Sequence, residues 1–439
     1  MIRRIVSRLR ALRLDQSANV MMLTGFAIVP LVTAAGIGVD YTRAARAQTK
    51  LQAAADAASL SAVSQTMMSK TDDQAKQMAQ YMFLQQAGQL NAVTVNPGDV
   101  VATITRTGTF SATRNAVVTY TATIQNTFGS FIGSPTVTLQ GQSKSIGSAA
   151  PNIDFYVMLD TSPSMALPTT TAGIAAMNQQ TGCAFACHQQ SLTSGDTTTL
   201  NGKTVDYYTW AVAQGLPLRI QEERTAVQSL TATMGTAATK NNAIYRMGSY
   251  SFDKNFQTLG TVTADLNAAK TAAGNAALYV PQKNNYDANG NYDNDTQTQV
   301  TNAFASMSAL LPLAAGQGTN NAGDTPQAVL FIITDGMKDE GTANTRSMGP
   351  FPTSQCTLIK NRGIRIAILY TQYLPETTLN LQWALDNVYY PFLQNDQISP
   401  ALTACASPGL MYTVTTDGDI TAALNALFQQ AISTARLLS

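Results

Sequence analysis

The distribution of hydrophobic and polar residues predicts a long apolar helix near the amino terminus. Residues 20–39 contain no charged side chain. A helix of that length spans about 30 Å, the thickness of the hydrocarbon core of a bilayer, and a membrane helix tolerates a proline such as Pro30. The run is longer than the apolar part of a signal peptide, and no Ala-x-Ala site closes it. A retained transmembrane helix is therefore favoured over a cleaved signal peptide.

The residues that precede this helix predict its orientation. Residues 1–19 hold five arginines and a single acid, Asp15. Basic residues flank membrane helices on their cytoplasmic side. We therefore expect residues 1–19 in the cytoplasm and everything after residue 40 outside it.

Residues 40–150 carry two further patterns. Residues 41–87 are rich in Ala, Gln, Lys and Met and predict a helix, on which small residues three or four apart form a stripe. That stripe fits either a stalk that covers its own domain or a pilin-like helix that packs beside similar proteins. Residues 93–146 change to period two and are rich in β-branched residues, which predicts a small antiparallel module of three or more strands.

From residue 151 onwards the chain alternates apolar strands with amphipathic helices. We predict strands at 155–159, 243–252, 256–263, 329–335 and 364–370, helices at 218–234, 300–313 and 419–438, and a polar insertion at about 166–215. This alternation predicts that residues 151–439 form an α/β domain with a doubly wound, mostly parallel sheet and right-handed crossovers.

Composition argues against several classes of function. The formal net charge is +1 and charged residues make up 12% of the chain, about half the usual fraction. There is thus no basic field that would attract nucleic acid. The single histidine, His188, argues against His-based catalysis and against a multi-His metal site. The sequence shows no nucleophile–base pair of the kind that would indicate an enzyme.

Four cysteines permit three disulfide pairings. They are Cys183, Cys187, Cys356 and Cys405. An exported chain favours disulfides, and we prefer Cys183 with Cys187 and Cys356 with Cys405, because each pair stays within one region of the chain. A four-cysteine zinc site would require the distant cysteines to meet. The Cys183–His188 stretch is one residue too long for the c-type haem signature.

The candidate chemistry lies where predicted strands end. Asp160, Ser162 and Ser164 follow the first apolar strand, and Asp335 ends another. The carboxyl ends of parallel strands form the ligand crevice of open α/β sheets. Oxygen donors suit Mg²⁺ or another hard cation and not zinc. A turn or helix cap would explain Asp-x-Ser-x-Ser alone, but the second strand-end carboxylate favours a cation site, with Asp160 in a loop outside the core.

Another acidic stretch, residues 287–295, has oxygen-bearing side chains at alternate positions. It lacks the residue order of an EF-hand, including the terminal Glu. We interpret it as a solvated, turn-rich loop in preference to a calcium site.

The segments Asp160-Thr-Ser-Pro-Ser164 and Ile332-Ile-Thr-Asp-Gly336 resemble the metal-ion-dependent adhesion site of a von Willebrand factor A domain. The resemblance implies one divalent cation, Mg²⁺ or alternatively Mn²⁺ or Ca²⁺, with water in its open positions and a partner's Asp or Glu able to displace that water. The ligands implied are Asp160, Ser162, Ser164, Asp335 and one Thr. We choose Thr296, whose order and spacing before Asp335 fit the family, with Thr319 as the second candidate.

The amino-terminal segment carries a second resemblance. Basic residues, Ser-Ala-Asn19-Val20, one membrane span, Val39-Asp40-Tyr41 and the Ala-rich stretch from Leu51 are similar to Tad (tight adherence, Flp) pilus-assembly proteins of the TadG type. This implies a non-enzymatic protein of the bacterial cytoplasmic membrane, with a periplasmic or extracytoplasmic adhesion domain. Its implied partners are pilins or other pilus-assembly proteins, or a host or matrix ligand. The alternative is a surface adhesin or matrix-binding protein released from the membrane.

Overall fold

The computed structural model describes residues 16–107, 112–185, 187–373 and 375–437. Most of the predicted basic segment, residues 1–15, therefore lies outside the described residues. The chain divides into two compact units, one formed by residues 1–107 and 113–148 and the other by residues 108–112 and 149–439. The division falls close to the boundary predicted at residue 151.

The described part of the first unit contains three helices and a four-stranded sheet. Its helices are α1 (Gln16–Ala62), α2 (Gln65–Met68) and α3 (Asp72–Ala87), and its strands are β1 (Val93–Thr94), β2 (Val100–Thr107), β3 (Ala112–Gln125) and β4 (Thr136–Ala149). The central strand β3 pairs antiparallel with β1 and β2 and also pairs with β4. The helix predicted over residues 41–87 is therefore interrupted twice, and Thr71 and Gln74 form a capping box where α3 begins.

The small-residue stripe of α1 is covered by its own unit. Leu51, Ala55, Ala58 and Ala62 are fully buried. They belong to one core with residues of α3 and of the sheet. Small side chains allow such close packing at little entropic cost. Of the two interpretations of the stripe, the structure favours the stalk that covers its own domain.

The second unit is built around a mixed six-stranded sheet. Its strands are β5 (Ile153–Asp160), β8 (Tyr245–Phe252), β9 (Phe256–Thr263), β10 (Gln327–Thr334), β13 (Arg365–Thr371) and β14 (Met411–Val414). They lie in the order β14-β13-β10-β5-β8-β9. Neighbouring strands are parallel except at one edge, where β9 runs antiparallel to β8. The antiparallel edge strand makes the sheet mixed.

Helices cover both faces of this sheet. The helices of the unit are α4 (Thr171–Thr181), α5 (Tyr207–Ala213), α6 (Arg219–Asn241), α7 (Leu266–Gly274), α8 (Val300–Leu310), α9 (Thr353–Lys360), α10 (Pro375–Thr378), α11 (Gln382–Ala384), α12 (Ile398–Cys405) and α13 (Ile420–Leu437), with a π-helical segment at Leu385–Leu393. Phe155, Val157 and Leu159 pack with α6, α7 and α13. Tyr156 and Met158 pack with α8, α9 and α12 on the other face, because successive strand residues point to opposite faces.

Two hairpins were not predicted from the sequence pattern, whereas the two preferred disulfide pairings are those of the structure. The hairpins are β6 (Thr197–Leu200) with β7 (Lys203–Asp206) and β11 (Met337–Thr342) with β12 (Thr345–Pro350). The structure pairs Cys183 with Cys187 in the insertion, and Cys356 in α9 with Cys405 in α12.

The order of the strands creates a crevice between β5 and β10. From β5 the chain continues to β8 on one side, whereas β10, β13 and β14 lie on the other side. In open α/β sheets the loops diverge at such a reversal of strand order, and ligands bind there at the carboxyl ends of the strands. Leu159 pairs with Ile333, so Asp160 and Asp335 flank this crevice.

Candidate functional site

The loop after β5 holds its polar side chains together through short hydrogen bonds. Asp160 Oδ1 accepts from the Ser162 backbone N–H at 3.0 Å and from Ser162 Oγ at 2.5 Å. Ser162 Oγ lies 3.2 Å from Ser164 Oγ. Asp160 is the last residue of β5 and is completely buried, which corrects the expectation that it lies in a loop outside the core.

The loop after β10 meets this cluster from the neighbouring strand. Thr334 Oγ1 donates to Asp160 Oδ2 at 2.6 Å. The Met337 backbone N–H donates to Asp335 Oδ1 at 3.1 Å, and the Ser164 side chain is near enough to lower the pKa of Asp335. Gly336 has φ +81°, and a Cβ at that position would come within 2.5 Å of Ile398. Only glycine allows this sharp turn, which directly follows Asp335.

Helix α6 brings two more buried charged residues to the cluster. Arg219 Nη1 lies 3.6 Å from Asp335 Oδ2, and its Nη2 donates to the Gln372 carbonyl at 2.6 Å. Glu223, one turn further along the helix, is also completely buried. Burial, together with the charges of Asp160 and Asp335, raises the pKa of Glu223 well above the ordinary carboxyl value.

The negative charges of the buried carboxyl groups in the cluster repel one another. Burial and the charge of Asp335 raise the pKa of Asp160 to about 7. Burial also raises the pKa of Asp335, although Arg219 opposes that shift. Like charges in a buried site disfavour ionisation of their neighbours. The site would therefore be stabilised by a proton or by a further cation.

The two threonine candidates lie in different places. Thr296 is buried just before α8, and its hydroxyl donates to the Asp293 carbonyl at 2.7 Å and not to the cluster. Thr319 Oγ1 donates to Asp324, and the neighbouring Gly318 carbonyl accepts from the Asn152 N–H at 2.8 Å. Asn152 precedes β5, so Thr319 lies at the end of the sheet opposite Asp160. The structure brings together Asp160, Ser162, Ser164 and Asp335, whereas Thr319 lies elsewhere and the Thr296 hydroxyl donates within its own loop.

The acidic stretch before Thr296 has an internal counter-ion. Lys254 Nζ donates to Asp287 Oδ2 at 2.8 Å and to Asp293 Oδ2 at 3.2 Å. Asp287 also accepts from the backbone N–H groups of Asn289 and Asn291. The lysine ammonium thus holds a series of tight turns together. The loop is turn-rich, as the sequence predicted, but Asp287 and Asp293 are buried and not solvated.

The donors at the crevice fit a hard divalent cation. Two carboxylates and two hydroxyls are gathered there, and oxygen ligands are those that Mg²⁺ and Ca²⁺ prefer. The buried acids Asp160, Glu223 and Asp335 outnumber the single guanidinium of Arg219, which leaves negative charge that a cation would offset. Among the described residues no three His, Cys, Asp or Glu side chains form a metal-holding group, so the hydroxyls of Ser162 and Ser164 would have to complete the coordination.

A cavity of about 370 Å³ opens beside Ser164. Aromatic side chains, among them Tyr373 and Trp383, form part of its wall. Tyr373 and Ser164 both line this cavity, and the Arg346 guanidinium lies 4.9 Å from the centre of the Trp383 ring. Such a mixed aromatic and polar cavity can receive a side chain of a partner next to the cluster.

Sequence reasoning missed Arg219, Glu223 and Tyr373. A signal existed for Glu223, because it lies on the same face of the predicted helix as Ile220 and Val227, which are both buried. A carboxyl group on the apolar face of a helix is unusual. Tyr373 and Arg219 carry no such signal, since only the folded chain brings them to Ser164 and Asp335.

Comparisons with known proteins give one family match and several distant structures. The family model for Flp pilus-assembly TadE/G-like proteins matches residues 18–65. No curated protein matches the chain significantly. BatB from Bacteroides thetaiotaomicron shares 13% identity over 64% of this chain and 100% of its own length, with a TM-score of 0.35.

Two pilus proteins are similar at the same level. The von Willebrand factor domain of the type V pili tip protein Mfa5 from Porphyromonas gingivalis is 11% identical over 65% of this chain and 95% of its own, with a TM-score of 0.33. The PilB minor pilin from Streptococcus sanguinis is 10% identical over 76% and 77% of the two chains, also with a TM-score of 0.33. By the family match, residues 18–65 of this chain are similar to the TadE/G-like proteins of Flp (Tad) pilus assembly.

Proposed function

We propose that this protein is a non-enzymatic, membrane-anchored component of a Tad (Flp) pilus apparatus. Its larger unit is a von Willebrand A-type domain that binds a carboxylate of a partner through a divalent cation. The cation, Mg²⁺ or alternatively Mn²⁺ or Ca²⁺, is held by Asp160, Ser162, Ser164 and Asp335. The partner is a pilin or another pilus-assembly protein.

The observation that carries this proposal is the convergence of two strand-end loops at the crevice between β5 and β10. Asp160 and Asp335 come from positions 175 residues apart in sequence. Asp160 accepts from Ser162 Oγ, which lies 3.2 Å from Ser164 Oγ, and the Ser164 side chain interacts electrostatically with Asp335. Neutral hydroxyls leave a bound cation only partly neutralised, which favours an incoming carboxylate over further water. The adjacent cavity supplies room for the residues that flank that carboxylate.

The anchor is residues 20–39 of α1. Of the described residues, one helix is long and apolar enough to cross a membrane, and an 18-residue window within it has a mean hydropathy of 2.1. The five arginines before it favour an amino terminus in the cytoplasm. We therefore propose that the adhesion unit lies on the outer side of the bacterial cytoplasmic membrane.

The experiment that tests the site is titration of the full chain, in detergent, with Mn²⁺ observed by electron paramagnetic resonance. Ser164→Ala removes one hydroxyl from a half-buried position. Because the ion loses one of its oxygen ligands, Mn²⁺ binding should weaken at least tenfold, which corresponds to about 1.4 kcal/mol. Asp160→Asn should weaken it further, because the amide carries no charge.

Thr319→Ala is the matched control. It removes a hydroxyl from the opposite end of the sheet and should leave Mn²⁺ affinity unchanged. Equal affinity in the parent chain, Ser164→Ala and Asp160→Asn would rule out this cation site. A loss in Thr319→Ala equal to that in Ser164→Ala would contradict the assignment of the site to the β5–β10 crevice.

A further inference from the structure

Asp40, immediately after the uncharged run, binds a loop from the sheet of the first unit. Its carboxylate accepts the backbone N–H groups of Thr127, Phe128 and Gly129 at 2.9, 2.8 and 2.8 Å. Although it directly follows the exposed apolar residues of α1, Asp40 is itself only 6% exposed. Three hydrogen bonds from consecutive amides to one carboxylate are strong, because the acceptor is charged. We call residues 126–135 the Asp40 loop.

The Asp40 loop is also packed against the helix one turn earlier. Gly36 lies on the same face as Asp40, and a Cβ at Gly36 would come within 2.5 Å of the Phe128 ring. On the other side of Asp40, Arg43 donates to the Thr127 hydroxyl and lies 3.6 Å from Asp40 Oδ1. The loop therefore contacts the helix between residues 36 and 43. The uncharged segment of the helix ends within this stretch.

The loop is closed on itself and so presents a defined tip. The Asn126 N–H donates to the Pro135 carbonyl at 2.8 Å, and the Ser134 N–H donates to the Gly129 carbonyl at 2.9 Å. Phe131 and Ile132 lie at this tip and are 85% and 56% exposed. A soluble surface gains nothing from two large apolar side chains held out in water by a rigid turn.

We propose that the Asp40 loop is a membrane-interface anchor that inserts Phe131 and Ile132 into the bilayer crossed by residues 20–39. The proposal rests on the transmembrane helix of the proposed function. The loop is continuous with the exposed apolar surface of that helix, which favours lipid as the occupant over a protein partner. Tyr41, 76% exposed at the same level of the helix, is an aromatic residue of the kind enriched at membrane interfaces.

Asp40 has a physical role in this anchor. The carboxylate holds the apolar tip at the height of the lipid headgroups, and Arg43 compensates its charge where the helix leaves the hydrocarbon. A second attachment to the bilayer would restrict the tilt of α1. The loop and the helix would then enter the membrane as one rigid element.

The test uses tryptophan fluorescence of the full chain in liposomes whose lipids are brominated near the headgroup end of the acyl chains. Phe131→Trp should be quenched at least twofold more than Tyr81→Trp, an exposed aromatic position on α3 of the same unit, after subtraction of the parent chain with its two native tryptophans. Adding Asp40→Ala to Phe131→Trp should reduce the quenching at position 131 toward that of the Tyr81→Trp control.

A third position separates the two ways in which the idea can fail. Phe26→Trp lies within the uncharged run and should be quenched whenever the helix is in the bilayer. Quenching of Phe26→Trp without quenching of Phe131→Trp would overturn the loop proposal and leave the transmembrane anchor intact. Absence of quenching at both positions would overturn the anchor itself.

Discussion

Glu223 shows how a single buried residue sets the electrostatics of the candidate site. It is completely buried on α6 beside Asp160, and Arg219 on the same helix is the guanidinium that faces Asp335. A carboxyl group whose pKa is raised in the folded state binds its proton more tightly than it does in the unfolded chain. Its contribution to stability is therefore fully present below the ordinary carboxyl pKa of about 4 and is lost as the pH rises through the folded-state value.

For Asp160 this loss extends to a pH of about 7, and for Glu223 the direction is the same. In the absence of divalent cations we expect the melting temperature of the larger unit to fall between pH 5 and pH 8. Glu223→Gln should reduce that fall, because the amide does not titrate and so takes up no proton on folding. The measurement is thermal unfolding at both pH values in the presence of a chelator.

Asp386→Asn is the control for Glu223→Gln, since it neutralises an exposed carboxyl group of the same unit. It should leave the pH dependence as it is in the parent chain. An unchanged pH dependence in Glu223→Gln would show that the buried carboxyl does not take up the proton assigned to it.

At the scale of elements, the two disulfides differ in the length of chain they close. Cys356–Cys405 joins α9 to α12 across 49 residues, whereas Cys183–Cys187 closes a loop of sequence separation 4 within the insertion. Both Cys356 and Cys405 are fully buried in the core that covers one face of the sheet. The longer loop restricts the unfolded chain more strongly.

We expect the double variant Cys356→Ala/Cys405→Ala to lower the free energy of unfolding by about 4 kcal/mol, and Cys183→Ala/Cys187→Ala by about 2 kcal/mol. Chemical denaturation of the two variants side by side measures the difference. Equal losses would indicate that packing of the sulfur atoms, and not restriction of the unfolded chain, dominates the effect.

At the scale of the whole molecule, the two units have separate hydrophobic cores. The core of the first unit is formed by α1, α3 and its four-stranded sheet, and the core of the second lies on both faces of the six-stranded sheet. The proposed cation site belongs entirely to the second unit. A ligand stabilises only the cooperative unit that binds it.

We therefore expect two unfolding transitions in scanning calorimetry of the full chain in detergent, of which Mg²⁺ raises only one. At a Mg²⁺ concentration of 100 times the dissociation constant the stabilisation is about 2.7 kcal/mol. Asp160→Asn should abolish the shift without moving the other transition. A Mg²⁺ shift that persists in Asp160→Asn would place the bound ion elsewhere.

Much of this architecture is readable from local patterns. The charge-free run at 20–39, the strand 256–263 and the start of the helix at Val300 follow directly from the periodicity of apolar residues, because that periodicity reflects burial. Asp160 and Asp335 could be chosen because each ends an apolar run. The hairpins β6–β7 and β11–β12 were not predicted, since short, half-exposed strands carry little hydrophobic contrast.

What the sequence by itself determined is which segments are apolar, where the strands stop and which side chains can supply oxygen ligands. These are properties of consecutive residues. Only the tertiary structure decided that β5 and β10 are neighbours, that Arg219, Glu223 and Tyr373 join their ends, and that Thr319 lies at the far end of the sheet. The same is true of the loop bound by Asp40, 87 residues away in the chain. Contacts between distant segments depend on the order of strands and on packing, and local periodicity contains neither.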